Sequence, residues 1–369
     1  MKMRSLLFSV FCMLAIGLSF TACSDDDDDD LIDDGSTVVL PKTRAFILNE
    51  GSYQKNNAGI TFYAPNKDAD QNMNKIDDIF LTQNKKGLGD TGQDMIKYDN
   101  FIYVTVYGSK LLLKLNSAGV EQKSISFSEE DGAPRYLTAE DGKLYVTLTS
   151  GKVAKINASD LKIEEYVNVG KNPEEIIEED GYLYVVNSGN GKDSTLSVIN
   201  RNDFKLTKTI EIAKNPIKIL ESEDQIFVLA YGGLYPEPTP YPVQKVDMAN
   251  EKAATITNAT DMCEYAGTIY FVYSDTKWEG SSSVTVNKFF SYNVKTGTLN
   301  EQSFMTDMPS ELSSKSVSMM EINDENGDLY IGTSDYTTNG DIYRFDRNGK
   351  FIEKFESGGV TPNNIVFFN

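Results

Sequence analysis

The chain has no histidine among its 369 residues, only three cysteines and a single tryptophan. Without imidazole there is no ordinary general base near neutral pH, no His ligand for zinc, haem or cobalt, and no Ser-His-Asp triad. Cys12 lies inside the apolar N-terminal stretch and Cys23 at its end. Cys263 is left without a partner, so there is no disulfide framework, and its strand-like surroundings make it a buried small hydrophobe. Cations are scarce as well, with 35 Lys and Arg against 55 Asp and Glu and a formal net charge of −20. A field of that sign repels nucleic acid and anionic lipid surfaces, which excludes both as partners. No glycine-rich loop precedes a helix and no serine sits in a nucleophile elbow. The expectation is a non-enzymatic protein with no catalytic residues and with no metal or cofactor of its own.

What is present begins with CSDDDDDDLIDDGS, residues 23–36. Six aspartates in a row repel one another and bury nothing, so they form a solvated spacer. Upstream, Lys2 and Arg4 precede an apolar run from Leu6 to Phe20 that is short for a membrane span and ends in the small residues Thr21 and Ala22. That is the pattern of a secretory signal peptide over residues 1–22. A cysteine directly behind it resembles the lipobox of bacterial lipoproteins, with Phe20 where that motif prefers Leu. The resemblance makes Cys23 the lipidated residue, a palmitate-type acyl anchor, followed by an acidic flexible tether over residues 23–40. Serine and aspartates behind the cysteine resemble the export tag of Bacteroides-type lipoproteins, which implies the outer membrane and the cell surface. Apart from this anchor, no contact with membrane is expected.

Residues 41–369 carry an internal repeat. Ile102-Tyr103-Val104, Leu144-Tyr145-Val146, Leu183-Tyr184-Val185, Ile226-Phe227-Val228, Ile269-Tyr270-Phe271 and Leu329-Tyr330-Ile331 recur at intervals near forty residues, with a longer interval before the last. A period near forty without helical periodicity indicates repeated sheets. Each unit supplies an extended segment, often opened by Pro134, Pro173 or Pro216, then a turn, the aromatic-centred strand, a loop, a third strand and an amphipathic fourth. Asp141-Gly142, Asp180-Gly181 and Asn326-Gly327 suit two-residue hairpins. Four strands per repeat is one blade of a β-propeller. Five inner strands begin at Gln93, Pro134, Pro173, Pro216 and Thr260, and a sixth near Ser316. TPNNIVFFN at the C-terminus reads as an inner strand without partners, whereas RAFILNEG, AGITFYAPN and IDDIFLTQN near the N-terminus read as second, third and fourth strands without a first. Together they complete a seventh blade and remove the free sheet edges. The fold class is all-β: a single seven-bladed β-propeller of four-stranded antiparallel blades, closed by N- and C-terminal strands in one blade.

In such a ring the loops between second and third strands gather on one face, the usual binding surface. Counting the terminal blade as blade 1, these loops supply Tyr53 and Asn56 in blade 1, Tyr107 in blade 2, Asn190 in blade 4 and Tyr336 in blade 7. Blade 5 contributes Tyr231, Tyr235 and Tyr241 within YGGLYPEPTPYPV, where four prolines lower the ordering cost of binding. Blade 6 places Trp278 in the polar stretch YSDTKWEGSSS. These aromatic and amide groups suit a bulky, partly apolar ligand bearing amides or hydroxyls. NDENGD, residues 323–328, reads as a turn rather than a calcium loop because it lacks the distal glutamate. Asp94 and Asp261 stand near inner-strand starts and point to the central channel.

The signal, Cys23, the acidic tag, FILNEGSYQKNNAGITFYAP and the repeated NP…DGxLYV blades together resemble the YncE-like propeller lipoproteins of Bacteroides-type bacteria, and within them the BtuG-like surface lipoproteins. That resemblance implies capture of vitamin B12 or another cobamide and its transfer to a TonB-dependent outer-membrane transporter. A corrinoid would be held through its amide edges and ring face, with no protein ligand to cobalt. Two alternatives stay open: a lactonase-like propeller hydrolase with channel-bound calcium, and a scaffold binding protein or glycan through the loop face.

Overall fold

The computed structural model describes residues 31–65, 74–232, 241–279 and 282–368. Seven four-stranded antiparallel sheets are present, and one of them joins Pro362–Phe368 to Arg44–Asn49, Gly59–Tyr63 and Lys75–Ile76. The expected closure therefore holds. Arg44 pairs with Phe368 and Ile47 with Ile365, so the end of the chain supplies the inner strand of blade 1.

The recurring aromatic motif has a packing reason. Side chains alternate across a strand, so the two aliphatic residues of each motif face one neighbour and the aromatic faces the other. Ile102 and Val104 join the core shared with blade 1, while Tyr103 packs with Leu144 and Val146 of blade 3. The pattern repeats: Leu183 and Val185 pack with Tyr145, and Ile226 and Val228 with Tyr184. Tyr103, Tyr145, Phe227 and Tyr330 are almost fully buried. Each aromatic ring removed from water stabilises the blade contact by on the order of 4 kcal/mol. The Tyr103 hydroxyl then donates to the Ala158 carbonyl of the next blade at 2.9 Å, which satisfies its one polar atom.

Turn chemistry holds where the hairpin has two central residues. Asp141 and Gly142, like Asp180 and Gly181, both take positive φ. In blade 7 the turn is longer: Val317–Ile322 and Leu329–Thr333 are separated by residues 323–328, and only Gly327 of the Asn326-Gly327 pair has positive φ.

The fourth strand expected in IDDIFLTQN is a correction. Only Lys75–Ile76 pairs as strand, and Ile79–Asn84 is a helix. Asp78 explains the switch, because its carboxylate caps the helix by accepting from the Leu81 N–H at 2.9 Å. Ile79 and Phe80 are then buried in the core beneath blades 1 and 2.

Residues 31–43 lie against the same junction. Leu31 and Val38 pack on that core with the buried Leu40, although the sequence placed residues 31–40 in the acidic tether. Arg44, 1% exposed, holds Asp33 through two contacts of 2.6 and 3.0 Å. Gln83 of the helix receives the Thr37 N–H at 2.9 Å and donates to the Ala118 carbonyl at 3.0 Å. This strap and the helix cover an edge that the two-residue outer strand of blade 1 leaves open.

Candidate functional site

Register fixes which loops share a face. In blades 2, 3 and 4 the first residue of the inner strand pairs with the last of the second strand, as in Gly92 with Val106, Pro134 with Leu148 and Pro173 with Asn187. Blades 5, 7 and 1 do the same through Pro216 with Ala230, Val317 with Thr333 and Pro362 with Asn49, whereas in blade 6 Asp261 pairs with Val272 and the second strand runs on past it. Backbone bonds such as Tyr107 N–H to Thr91 O and Tyr231 N–H to Asn215 O tie each second-to-third loop to the segment entering the inner strand. The named loops thus gather on one side, here the loop face. The opposite side, where residues 31–43 lie, is the strap face.

A central channel opens on the loop face. Register shifts at the inner-strand starts of every blade but the sixth turn successive side chains toward it. One residue per blade forms its waist: Asn364, Asp94, Tyr136, Glu175, Lys218, Asp261 and Met319 all line a cavity of about 370 Å³ at the loop-face mouth. Lys218 Nζ lies 2.8 Å from Asp261 Oδ1 and 3.7 Å from Glu321 Oε1. Burial alone would lower its pKa, but Asp261, Glu321 and Glu175 hold it well above the ordinary lysine value. The carboxylates respond in the opposite sense. Burial pushes Glu175 up to about 8 and Glu321 up to about 7. Asp94 rises only to about 6, because the Leu137 N–H, the Met95 N–H and the Asn364 amide offset part of its desolvation. Lys218, Glu321 and Asn364 also line a second cavity of about 550 Å³ toward the strap face, so this cluster separates the two mouths. Higher up, Arg135 forms an ion pair with Glu174, and its guanidinium lies 5.4 Å from the centre of the Tyr107 ring.

Beside the channel mouth the face has a groove. The hairpin of blade 6 has twelve-residue strands, Thr268–Glu279 and Ser282–Asn293, and so extends beyond the blade. The Asn287 amide braces it by donating to the carbonyls of Leu312 and Lys315 at 2.7 Å each. Between Thr276 and Thr285 of this hairpin and the blade 7 loop lies a cavity of about 510 Å³. That loop is stiff, since Asp335 accepts from the Thr337 and Thr338 N–H groups at 2.8 and 2.7 Å. These bonds hold its carboxyl well below the usual range. Tyr336, 64% exposed, lines both cavities and joins them.

The expected residues divide into groups. Tyr231 and Tyr336 reach the channel mouth; Tyr231 meets Tyr241 edge-on at 5.4 Å, and Tyr241 meets Tyr273 at 6.3 Å. Tyr107 stands behind Arg135. Tyr53 and Asn56, which share the blade 1 loop, and Asn190 on the blade 4 loop are exposed and line neither cavity. Trp278 is a correction: it belongs to an extended strand and pairs with Ser283 rather than lying in a loop. The alternation of Val284 and Val286, both exposed, is the signal for that extension. Cys23 and Tyr235 lie outside the described residues. Asp94 and Asp261 do line the channel. Arg135, Tyr136, Glu175, Lys218 and Glu321 were missed, yet Asp94, Tyr136, Glu175, Lys218 and Asp261 recur with the same period as the aromatic motif.

Cys263 is buried and unpaired, as expected. Among the described residues, Glu179, Asp180 and Asp224 bring carboxylate oxygens within 4.8 Å of one another, but at strap-face turns far from either loop-face cavity.

A family model described as Domain of unknown function (DUF5074) matches residues 44–367. No curated protein matches the chain. Among solved structures, the chain is similar to hydrazine synthase of Kuenenia stuttgartiensis, at 14% identity and a TM-score of 0.58 over 70% of this chain and 77% of that one. A functionally unknown protein from Desulfotomaculum acetoxidans DSM 771 gives 13% identity and a TM-score of 0.57 over 88% and 98%. The computationally designed Ika8 protein gives 11% identity and 0.51 over 86% and 88%. Likenesses at these identities speak for the fold alone.

Proposed function

The chain belongs to the DUF5074 family, and from its own geometry we propose that it is a non-enzymatic, surface-anchored binding protein. Its loop face captures a bulky nutrient, a cobamide above all, and passes it to a TonB-dependent transporter of the outer membrane. One observation carries the reading: two concavities of about 370 and 510 Å³ meet at the exposed ring of Tyr336. Each alone falls within the usual size of a ligand pocket, and joined they suit a molecule larger than a simple metabolite. Their walls offer tyrosine rings, Thr and Ser hydroxyls and the Arg135 and Lys315 cations, partners for amide edges and an apolar ring face. The resemblance to YncE-like and BtuG-like lipoproteins, and Cys23 as the acylated residue, belong to the same proposal.

The waist favours capture over a calcium-dependent hydrolase. Lys218 already supplies a cation among Asp261, Glu175 and Glu321, at the level where a channel metal would need those carboxylates. Calorimetric titration of residues 31–369 with cyanocobalamin tests the reading. Heat and a spectral shift at micromolar protein, both surviving chelation, are expected. No heat and no shift would defeat the cobamide assignment, and lactone hydrolysis lost on chelation would favour the enzyme.

A further inference from the structure

Blade 6 is short of chain at its outer edge. Its third strand, Ser282–Asn293, has twelve residues, but its outer strand, Thr298–Asn300, has three and pairs only with Ser291, Tyr292 and Asn293. The outer strand of blade 5, Lys252–Asn258, has seven. In blade 1 a comparable shortfall is covered by the helix and the strap. In blade 6 it brings the apolar core shared with blade 5 to the surface, and a cavity of about 480 Å³ opens there, floored by Tyr273, Phe290 and Leu299. The extended hairpin keeps this cavity apart from the loop-face groove. Tyr273 stands opposite Lys288 and Thr276 opposite Thr285, and an odd number of residue steps separates the two pairs, so they lie on opposite faces of the hairpin. The threonines line the groove beside Tyr336, and Tyr273 and Lys288 line this cavity. Its floor is fixed, because Tyr241 meets Tyr273 edge-on at 6.3 Å and Phe271 backs Phe290 at 5.1 Å.

Around this floor stand the exposed side chains of Lys288, Glu301 and Asn258. Among the described residues, no ion pair or hydrogen bond takes up the Lys288 ammonium, the Glu301 carboxylate or the Asn258 amide. The rim therefore offers both donors and acceptors, and its two charges cancel. An anion would be drawn to Lys288 and repelled by Glu301, and a cation would meet the reverse. A wholly apolar ligand would strip water from both charges and replace none of it. A neutral hexose ring satisfies all three conditions. The C–H groups on one of its faces suit aromatic rings, whose faces are negative, and the hydroxyls at its edge both donate and accept. We infer that the outer groove between blades 5 and 6 is a second binding site, distinct from the loop-face cavities and from cobamide capture, and that its ligand is a neutral hexose saccharide. The volume lies within the range of small-molecule pockets and suits a disaccharide.

Saturation-transfer NMR on the full chain, with maltose, cellobiose and mannobiose as probes, tests the site. Transfer to the ring C–H protons of at least one of these disaccharides is expected at millimolar affinity, strongest on a single face of one hexose. Lys288→Ala and Glu301→Gln change exposed side chains and leave the floor intact, and each should weaken binding about fivefold, as for the loss of one hydrogen bond. No transfer to any of the three probes, or transfer undiminished in either variant, overturns the site. Binding confined to a disaccharide in which one hexose is a hexuronate overturns the neutral class. Displacement of the saccharide by cyanocobalamin would place it in the loop-face cavities and overturns the second site. Saccharide transfer is read independently of cyanocobalamin heat, so failure of the cobamide reading and failure of this site are separate results.

Discussion

The two faces of the ring are made of the same repeats and have opposite characters. On the strap face, blades 3 and 4 turn through the same Asp-Gly pair at positive φ, and the chain is stitched down by Asp33, Thr37 and Gln83. On the loop face no two loops agree. Blade 3 spends three residues, Thr149 to Gly151, where blade 6 projects a two-stranded extension braced by Asn287. The two-residue turns between first and second strands in blades 2 to 6 mark where the repeat has only to fold. Divergent loops over a common channel mark where extra chain does something besides folding.

The sharpest way to break this contrast is to attack the strap. Arg44→Ala leaves a buried void beneath blades 1 and 2 and an unpaired Asp33 carboxylate that water can reach, and should lower the unfolding free energy by about 2–3 kcal/mol. Lys192→Ala on the loop face should change it by no more than about 0.5 kcal/mol. Denaturant midpoints at constant m-value measure both. Comparable losses would mean that the strap is incidental to the fold.

Between the faces lies the waist, where pH is the lever. Glu175 and Glu321 keep protons in the folded ring up to about 8 and about 7, against an ordinary glutamate value of 4.5. A raised folded pKa means that the folded state binds protons which the unfolded chain has released. That contribution is complete below about pH 4.5 and is lost as pH rises through 7 to 8. Lys218 stays charged throughout this window and does not offset it. Stability should therefore fall between pH 5 and pH 8.5 by about 1–2 kcal/mol, a figure discounted for solvent in the channel. Glu175→Gln should flatten the slope. A slope unchanged by that substitution would place the titrating groups elsewhere.

How much of this was legible follows from what repeats. The blade count, the closure by the two chain ends and the Asp-Gly turns depend on a pattern stated six times over, with aliphatic and aromatic positions alternating for a packing reason. The departures are single events. Ile79–Asn84 folds as a helix because one carboxylate, Asp78, caps it, and nothing in the other blades announces that. The extension at Trp278 is rich in Ser and Thr, residues common in loops, and only the alternation of Val284 and Val286 marks it as strand. The channel charges were half visible. Asp94 and Asp261 stood out as acids, but Lys218 and Glu175 acquire meaning only when closure brings seven inner strands around one axis.

The smallest effect on stability should accompany the largest on binding. Tyr336 is mostly exposed, its N–H is taken by the Ser334 hydroxyl at 2.9 Å, and its φ of 64° is set by the loop that Asp335 holds. Tyr336→Ala keeps those backbone bonds and removes only the ring between the two cavities. Unfolding free energy should move by less than about 0.5 kcal/mol. Ligand affinity should fall about tenfold, as expected for an aromatic anchor contributing about 1–2 kcal/mol. Tyr53→Ala, on a loop that lines neither cavity, should leave affinity within about twofold. Paired titrations of the two variants with cyanocobalamin measure the difference, and equal losses would move the site from the junction at Tyr336 to the outer rim.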